Sequence, residues 1–74
     1  MNILLFGVLA DAAGKSSVKM NAGNVAQLKE ILYSHYPQLK KYSFRIAINK
    51  KLVTTDTMLN DEDEIALLPA FAGG

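Results

Sequence analysis

The first nine residues carry an almost unbroken apolar run, with Ile3, Leu5 and Leu9 alternating against Leu4, Phe6 and Val8. A run this short, rich in branched and aromatic residues, predicts a strand over residues 2–9 that is apolar on both faces. Residues 10–15 predict a loop, with Gly14 supplying a tight turn. Residues 16–20 predict a second strand, in which Val18 and Met20 alternate with Ser17 and Lys19. The period then changes. Val25, Leu28, Leu32 and Tyr36 fall at i, i+3, i+7 and i+11, with Ile31 beside them, which is one face of a helix. Asn24 has the chemistry of an N-cap, and Gln27 three residues on completes a capping box. Pro37 ends the helix, because its ring cannot continue the hydrogen-bond ladder.

Residues 38–44 predict a loop, residues 45–48 a strand, Asn49-Lys50-Lys51 a turn, and Leu52-Val53 a short return strand. Residues 60–63 form another polar turn before a last strand over 64–68, which Pro69 should stop for want of an N–H. The order is ββαβββ: an α+β fold with a mixed sheet and one main helix. One helix covers one face of a sheet. The first and last strands are nevertheless apolar on both faces, the last with Ile65 and Leu67 opposed to Ala66 and Leu68. A sheet with one solvated face should alternate apolar and polar residues. An apolar face is therefore left over, to be covered by a partner or by a loop of this chain, 38–44 or 54–60.

Composition narrows the function. Seventy-four residues allow one domain. The absence of cysteine removes disulfides and thiolate metal sites, and a single histidine, His35, removes a histidine-rich one. A binding module, carrier or subunit is expected rather than a free-standing enzyme, with no metal and no bound cofactor. No apolar run approaches the ~20 residues of a membrane helix, and the N-terminus lacks a basic signal start, so a cytoplasmic location is expected. The net charge of +1 conceals polarity: residues 15–51 hold all eight Lys and Arg against Glu30 alone, while residues 52–74 hold five acids and no base. That separation can steer a protein partner. The basic positions are scattered and lack interleaved aromatics, so nucleic acid is not expected. Four neighbouring acids, Asp61 to Glu64, read as a solvated turn, because the loop is too short for an EF-hand. Gly14-Lys15-Ser16 lacks the preceding glycine and helix context of a phosphate loop. His35 reads as a surface residue at a helix end.

The run Ile3-Leu4-Leu5-Phe6-Gly7, the hairpin from Ala47 to Val53, the acidic turn Leu59 to Ile65 and the ending Leu67-Leu68-Pro69-Ala70-Phe71-Ala72-Gly73-Gly74 together resemble one family across the whole chain. It is the small subunit of molybdopterin synthase, a ubiquitin-like β-grasp sulfur carrier. The acidic turn, apolar strand, proline and final Gly-Gly carry most of the resemblance. Ala10-Asp11 departs from it, since many members have an arginine after the first strand.

The resemblance implies a β-grasp domain over 1–69 and a flexible tail over 70–74. It implies that an ATP-dependent partner adenylates the carboxylate of Gly74, and that a sulfur donor protein then converts it to a thiocarboxylate. ATP would be used by that partner and not bound here. The large synthase subunit would take in the tail, and the sulfur would pass to a cyclic pyranopterin monophosphate, twice, to make the dithiolene that holds molybdenum. The chain would be the sulfur-donor subunit of a sulfurtransferase, in a heterotetramer with two large subunits. Gly73 would let the tail thread a narrow channel, since it has no Cβ. From Pro69 the five remaining residues reach at most ~18 Å. Pro69 would stiffen the exit, and Phe71 would either anchor the tail on a partner or fold back on its own domain. Phe6, Leu52 and Leu68 are the candidates for the docking patch. Three alternatives stand beside this reading: a sulfur carrier for another pathway such as thiamine thiazole synthesis, a ubiquitin-like modifier joined to target lysines through Gly74, and a pure interaction module in which Gly73 and Gly74 have no role.

Overall fold

The computed structural model describes residues 1–70. Eight elements follow one another: β1 (Asn2–Leu5), α1 (Val8–Ala13), β2 (Ser17–Lys19), α2 (Val25–His35), a 3-10 helix (Pro37–Lys41), β3 (Phe44–Ile48), β4 (Lys51–Val53) and β5 (Glu64–Pro69). The five strands form one sheet in the order β2-β1-β5-β3-β4. β5 runs parallel to β1, and every other pairing is antiparallel. β1, β5 and β3 lie inside the sheet, which explains why β1 and β5 carry large apolar residues on both faces and why β3 sets Ala47 against Ile46.

One face of the sheet meets the helix, as expected. Ile3, Leu5, Val18, Ile46, Ile65 and Leu67 from the sheet share one core with Val25, Leu28 and Leu32 of α2. The core is completed by Leu9, Leu39 and Leu59, all buried, and each comes from a segment whose sequence reading needs correction. The first strand does not run to Leu9. It ends at Leu5, and Gly7 turns the chain (φ 57°, ψ −132°) into α1. Leu9 reaches the core from that helix, and Val8 stands exposed on it rather than on a strand. Gly14 sits at φ 74° and closes α1, its N–H donating to Ala10 O at 2.9 Å.

The expected loop over 38–44 is largely the 3-10 helix, which plants Leu39 in the core beside α2. Residues 54–59 run along the start of α2. Neither segment therefore covers the second sheet face: both pack with the helices. The turn at 49–51 is tighter than expected. Asn49 (φ 50°) and Lys50 (φ 71°) form a two-residue hairpin turn, and Lys51 already pairs with Ile48. Pro69 does not end the pairing either: it lies opposite Phe44, and Ala70 N–H still donates to Ser43 O at 3.1 Å.

The N-terminus of α2 satisfies its free donors one by one, as a helix start must. Val25 N–H donates to Thr57 O, Ala26 N–H to Asp56 Oδ1 and Gln27 N–H to Asn24 Oδ1, at 3.0, 3.0 and 2.8 Å. Gln27 Oε1 in return accepts from Gly23 N–H. The Asn24 cap was legible, but Gln27 returns its bond to Gly23 rather than to the N-cap N–H, so the expected capping box is only half made; the contribution of Asp56 and Thr57, thirty residues downstream, was not legible. A second polar clip holds the hairpin turn to β5. Asn49 Nδ2 donates to Asp63 Oδ1 (2.9 Å), Asn49 Oδ1 accepts from Glu64 N–H (3.0 Å), and Asp63 Oδ2 accepts from Asn60 N–H (2.8 Å). The Asn60 and Asn49 donors hold the Asp63 carboxyl below its ordinary range.

Asn24→Ala should lower unfolding free energy by about 1 kcal/mol in urea titrations, with the m-value unchanged. Because the Asp63 pKa is depressed on folding, its contribution is present above the ordinary carboxylate pKa and is lost as pH falls through the folded value. Asp63→Asn should therefore flatten the acid limb of a stability–pH curve, and an unaltered limb would rule the clip out as its source.

Candidate docking face and the end of strand β5

Strand register fixes which residues share the uncovered face, because directly paired residues project to the same side. One row crosses all five strands: Ser17, Leu4, Ala66, Ala47 and Leu52. The row spans roughly 19 Å at ordinary strand spacing. Leu4 and Ala66 are half-buried, Ala47 is sunk in the middle of the sheet, and Leu52 on the edge strand is 54% exposed. The next row, toward the C-terminal end of β5, pairs Leu68 with Arg45. Phe6 follows at the end of β1, 45% exposed, with its N–H on Leu67 O at 3.2 Å. At the opposite end of the face stand Lys19, Asn2 and Glu64.

Of the three residues expected to form a docking patch, Leu52 and Leu68 thus lie on this face, and exposed Phe6 stands just past the end of β1 beside it. Pro69 lies at the same end of β5 as Phe6 and Leu68. Two further members of the face are not among the expected patch residues. Leu4 shares its row with Ala66 and Leu52. Arg45 alternates with Ile46 and Ile48 and so stands opposite the core, where it sets a positive charge beside Leu68. Phe71, Gly73 and Gly74 lie outside the described residues.

Nothing in the described residues resembles a catalytic centre. No group of three or more His, Asp or Glu there could hold a metal ion. Two open surface hollows of about 410 and 200 Å³ are lined by residues remote from the exit, the larger by Met1, Asn2, Lys19 and the turn from Asp61 to Glu64. His35 is exposed in the last turn of α2, beside the Tyr36 ring. No helix among the described residues is long and apolar enough to cross a membrane. What remains is a flat apolar face that runs into the departure point of the C-terminal segment.

The pattern defining the ThiS family matches residues 3–74. This chain belongs to the ThiS family. Its sequence is 31% identical, over its whole length and 96% of the relative's, to the molybdopterin synthase sulfur carrier subunit of Mycobacterium tuberculosis. The ubiquitin-like β-grasp architecture of this ThiS-family chain recurs in solved structures. The small archaeal modifier protein 1 of Methanosarcina acetivorans superposes with a TM-score of 0.84 at 28% identity, covering 99% of this chain and 94% of that one. Subunit 1 or 2 in the complex of the Helicobacter pylori molybdopterin-converting factor superposes with a TM-score of 0.73 at 29% identity, covering 99% and 96%.

Phe6→Asp should leave the amide NMR dispersion and the thermal midpoint close to wild type, because Phe6 is outside the core, while abolishing binding to a protein partner of the open face. Loss of dispersion in that variant would place Phe6 in the core instead.

Proposed function

We propose that this chain is the sulfur carrier subunit of a molybdopterin synthase. The observation that carries the reading is the continuity of the apolar face with the end of β5, in a chain matched end to end by a carrier subunit of that name. The face from Leu4 to Leu52, with Phe6 and Leu68, docks on the large synthase subunit. Pro69 directs residues 70–74 into that subunit's pocket, and Phe71 seats its ring there. A carboxylate is a poor electrophile, so Gly74 needs activation. Its carboxylate oxygen attacks the α-phosphorus of ATP on an adenylating enzyme and expels pyrophosphate. Sulfide, supplied at that oxidation level by a donor protein, then attacks the acyl carbon, expels AMP and leaves a thiocarboxylate. That sulfur is the nucleophile delivered to the cyclic pyranopterin monophosphate. The chain supplies the cargo and its presentation; the partners supply the reacting pockets. A glycine at 74 keeps side-chain atoms away from the activated carbon.

The likeness to an archaeal modifier protein supports a second reading, a ubiquitin-like modifier joined through Gly74 to lysines of other proteins. The same activation would serve both, with an amine in place of sulfide as the final nucleophile.

Intact mass spectrometry of the chain, incubated with ATP, a matched adenylating enzyme and a sulfur donor, should show one oxygen exchanged for sulfur, localised to Gly74 by fragmentation. Addition of the large subunit and pterin precursor should return the carboxylate. Removal of Gly74 should abolish both without altering the fold. Carboxylate only, or isopeptide conjugates in place of sulfur transfer, would count against the carrier reading.

A further inference from the structure

β5 outlasts its neighbour β1. The last bond between them is Phe6 N–H to Leu67 O, after which the chain leaves the sheet at Gly7. On its other side β5 stays attached: Pro69 lies opposite Phe44, and Ala70 N–H donates to Ser43 O. Amides alternate direction along a strand, so the Pro69 nitrogen faces the side that β1 has vacated. The next acceptor in the register, Phe6 O, is taken by Leu9 N–H of α1 at 3.1 Å, so a proline here costs no sheet bond. Gly7 fills the place instead. A Cβ on Gly7 would stand 3.1 Å from Pro69 Cγ, tighter than ordinary contact, and its φ of 57° with ψ of −132° is backbone that an L side chain rarely adopts. The proline ring therefore rests against a bare Cα on one side of β5 while Ser43 holds the following amide on the other.

We propose that Gly7 is a positioning residue for the C-terminal segment: with Ser43 it forms a two-sided seat for Pro69 and Ala70 that sets the direction in which the chain continues toward Gly74. The inference rests on the sulfur-carrier reading and extends it to a residue with no contact with substrate. The lever is long. Where a partner's channel draws the following five residues out to their full reach of ~18 Å, a tilt of about 10° at Pro69 would displace their end by roughly 3 Å. Misplacement of a reacting atom by ~1 Å already costs up to about 100-fold in rate. Docking should be indifferent to the same change, since the apolar face is formed by other residues.

The test uses the full chain with a preformed Gly74 thiocarboxylate, the large synthase subunit and the pterin precursor. Gly7→Ala should keep its NMR dispersion and bind the large subunit within about twofold of wild type, yet transfer sulfur in a single turnover ~10-fold more slowly. In a Pro69→Ala background, where the ring is gone, adding Gly7→Ala should cost less than about twofold. A folded Gly7→Ala that transfers at the wild-type rate overturns the proposal. So does an equal penalty in both backgrounds, which would assign Gly7 to the β1–α1 turn alone. Should Gly7→Ala not fold, Pro69→Ala decides: slower transfer at unchanged affinity supports the seat, and wild-type transfer overturns it. A wild-type chain that accepts no sulfur, or delivers none, refutes the carrier reading itself and is recognised before any variant is compared.

Discussion

The structure depends on the insertion of β5 between β1 and β3. A strand in that position has neighbours on both edges and needs apolar residues on both faces, one for the core and one for whatever meets the open side. Ile65 and Leu67 are fully buried under α2, while Ala66 and Leu68 lie on the open face. The last strand in the chain is thereby its most central one. Its C-terminal end lies beside Phe6 and Arg45 rather than at a distant corner, so the proposed docking face reaches to the last described residues of the chain. In a protein whose proposed task is to present its own end to a partner, that adjacency is the main thing the fold provides.

Much of this was legible because strand parity is unforgiving. A one-residue slip would turn Ile3 and Leu5 outward, so the burial of the odd positions of β1 follows from the pattern that α2 has to match. The Asn24 cap and the end of α2 were equally local. The errors came where apolar residues change element without changing character. Val8 and Leu9 fit a strand as well as they fit a helix, and a six-residue helix is too short to show its period. What separates the two is the backbone of Gly7, which hydropathy does not register. Leu39 and Leu59 show a related limit. Each is a single apolar residue in a polar segment, and only the distant surfaces they meet make them core. The contacts of Asp56 and Thr57 with the start of α2 are likewise between elements far apart in sequence.

The candidate site was legible in kind rather than in extent. Leu52 and Leu68 belong to the open face and Phe6 stands beside it, but Leu4 and Arg45 belong to it too, and the seat of Gly7 and Ser43 around Pro69 has no local sequence signature. Arg45 also gives the charge separation of the chain a place. The tail end of the face is positive, while the acidic turn that Asp63 anchors lies at the other end of β5. A partner that docks in one orientation has both a steric and an electrostatic reason to do so.

The central claim is that the partner binds the open sheet face and not the helical side. Cross-saturation NMR of the isotope-labelled chain, bound to the large synthase subunit, tests it most directly. The account predicts saturation at Leu4, Phe6, Ala47, Leu52, Ala66 and Leu68, with the exposed residues of α2, such as Lys29 and Glu30, untouched. Saturation centred on α2, with the sheet face silent, would contradict it.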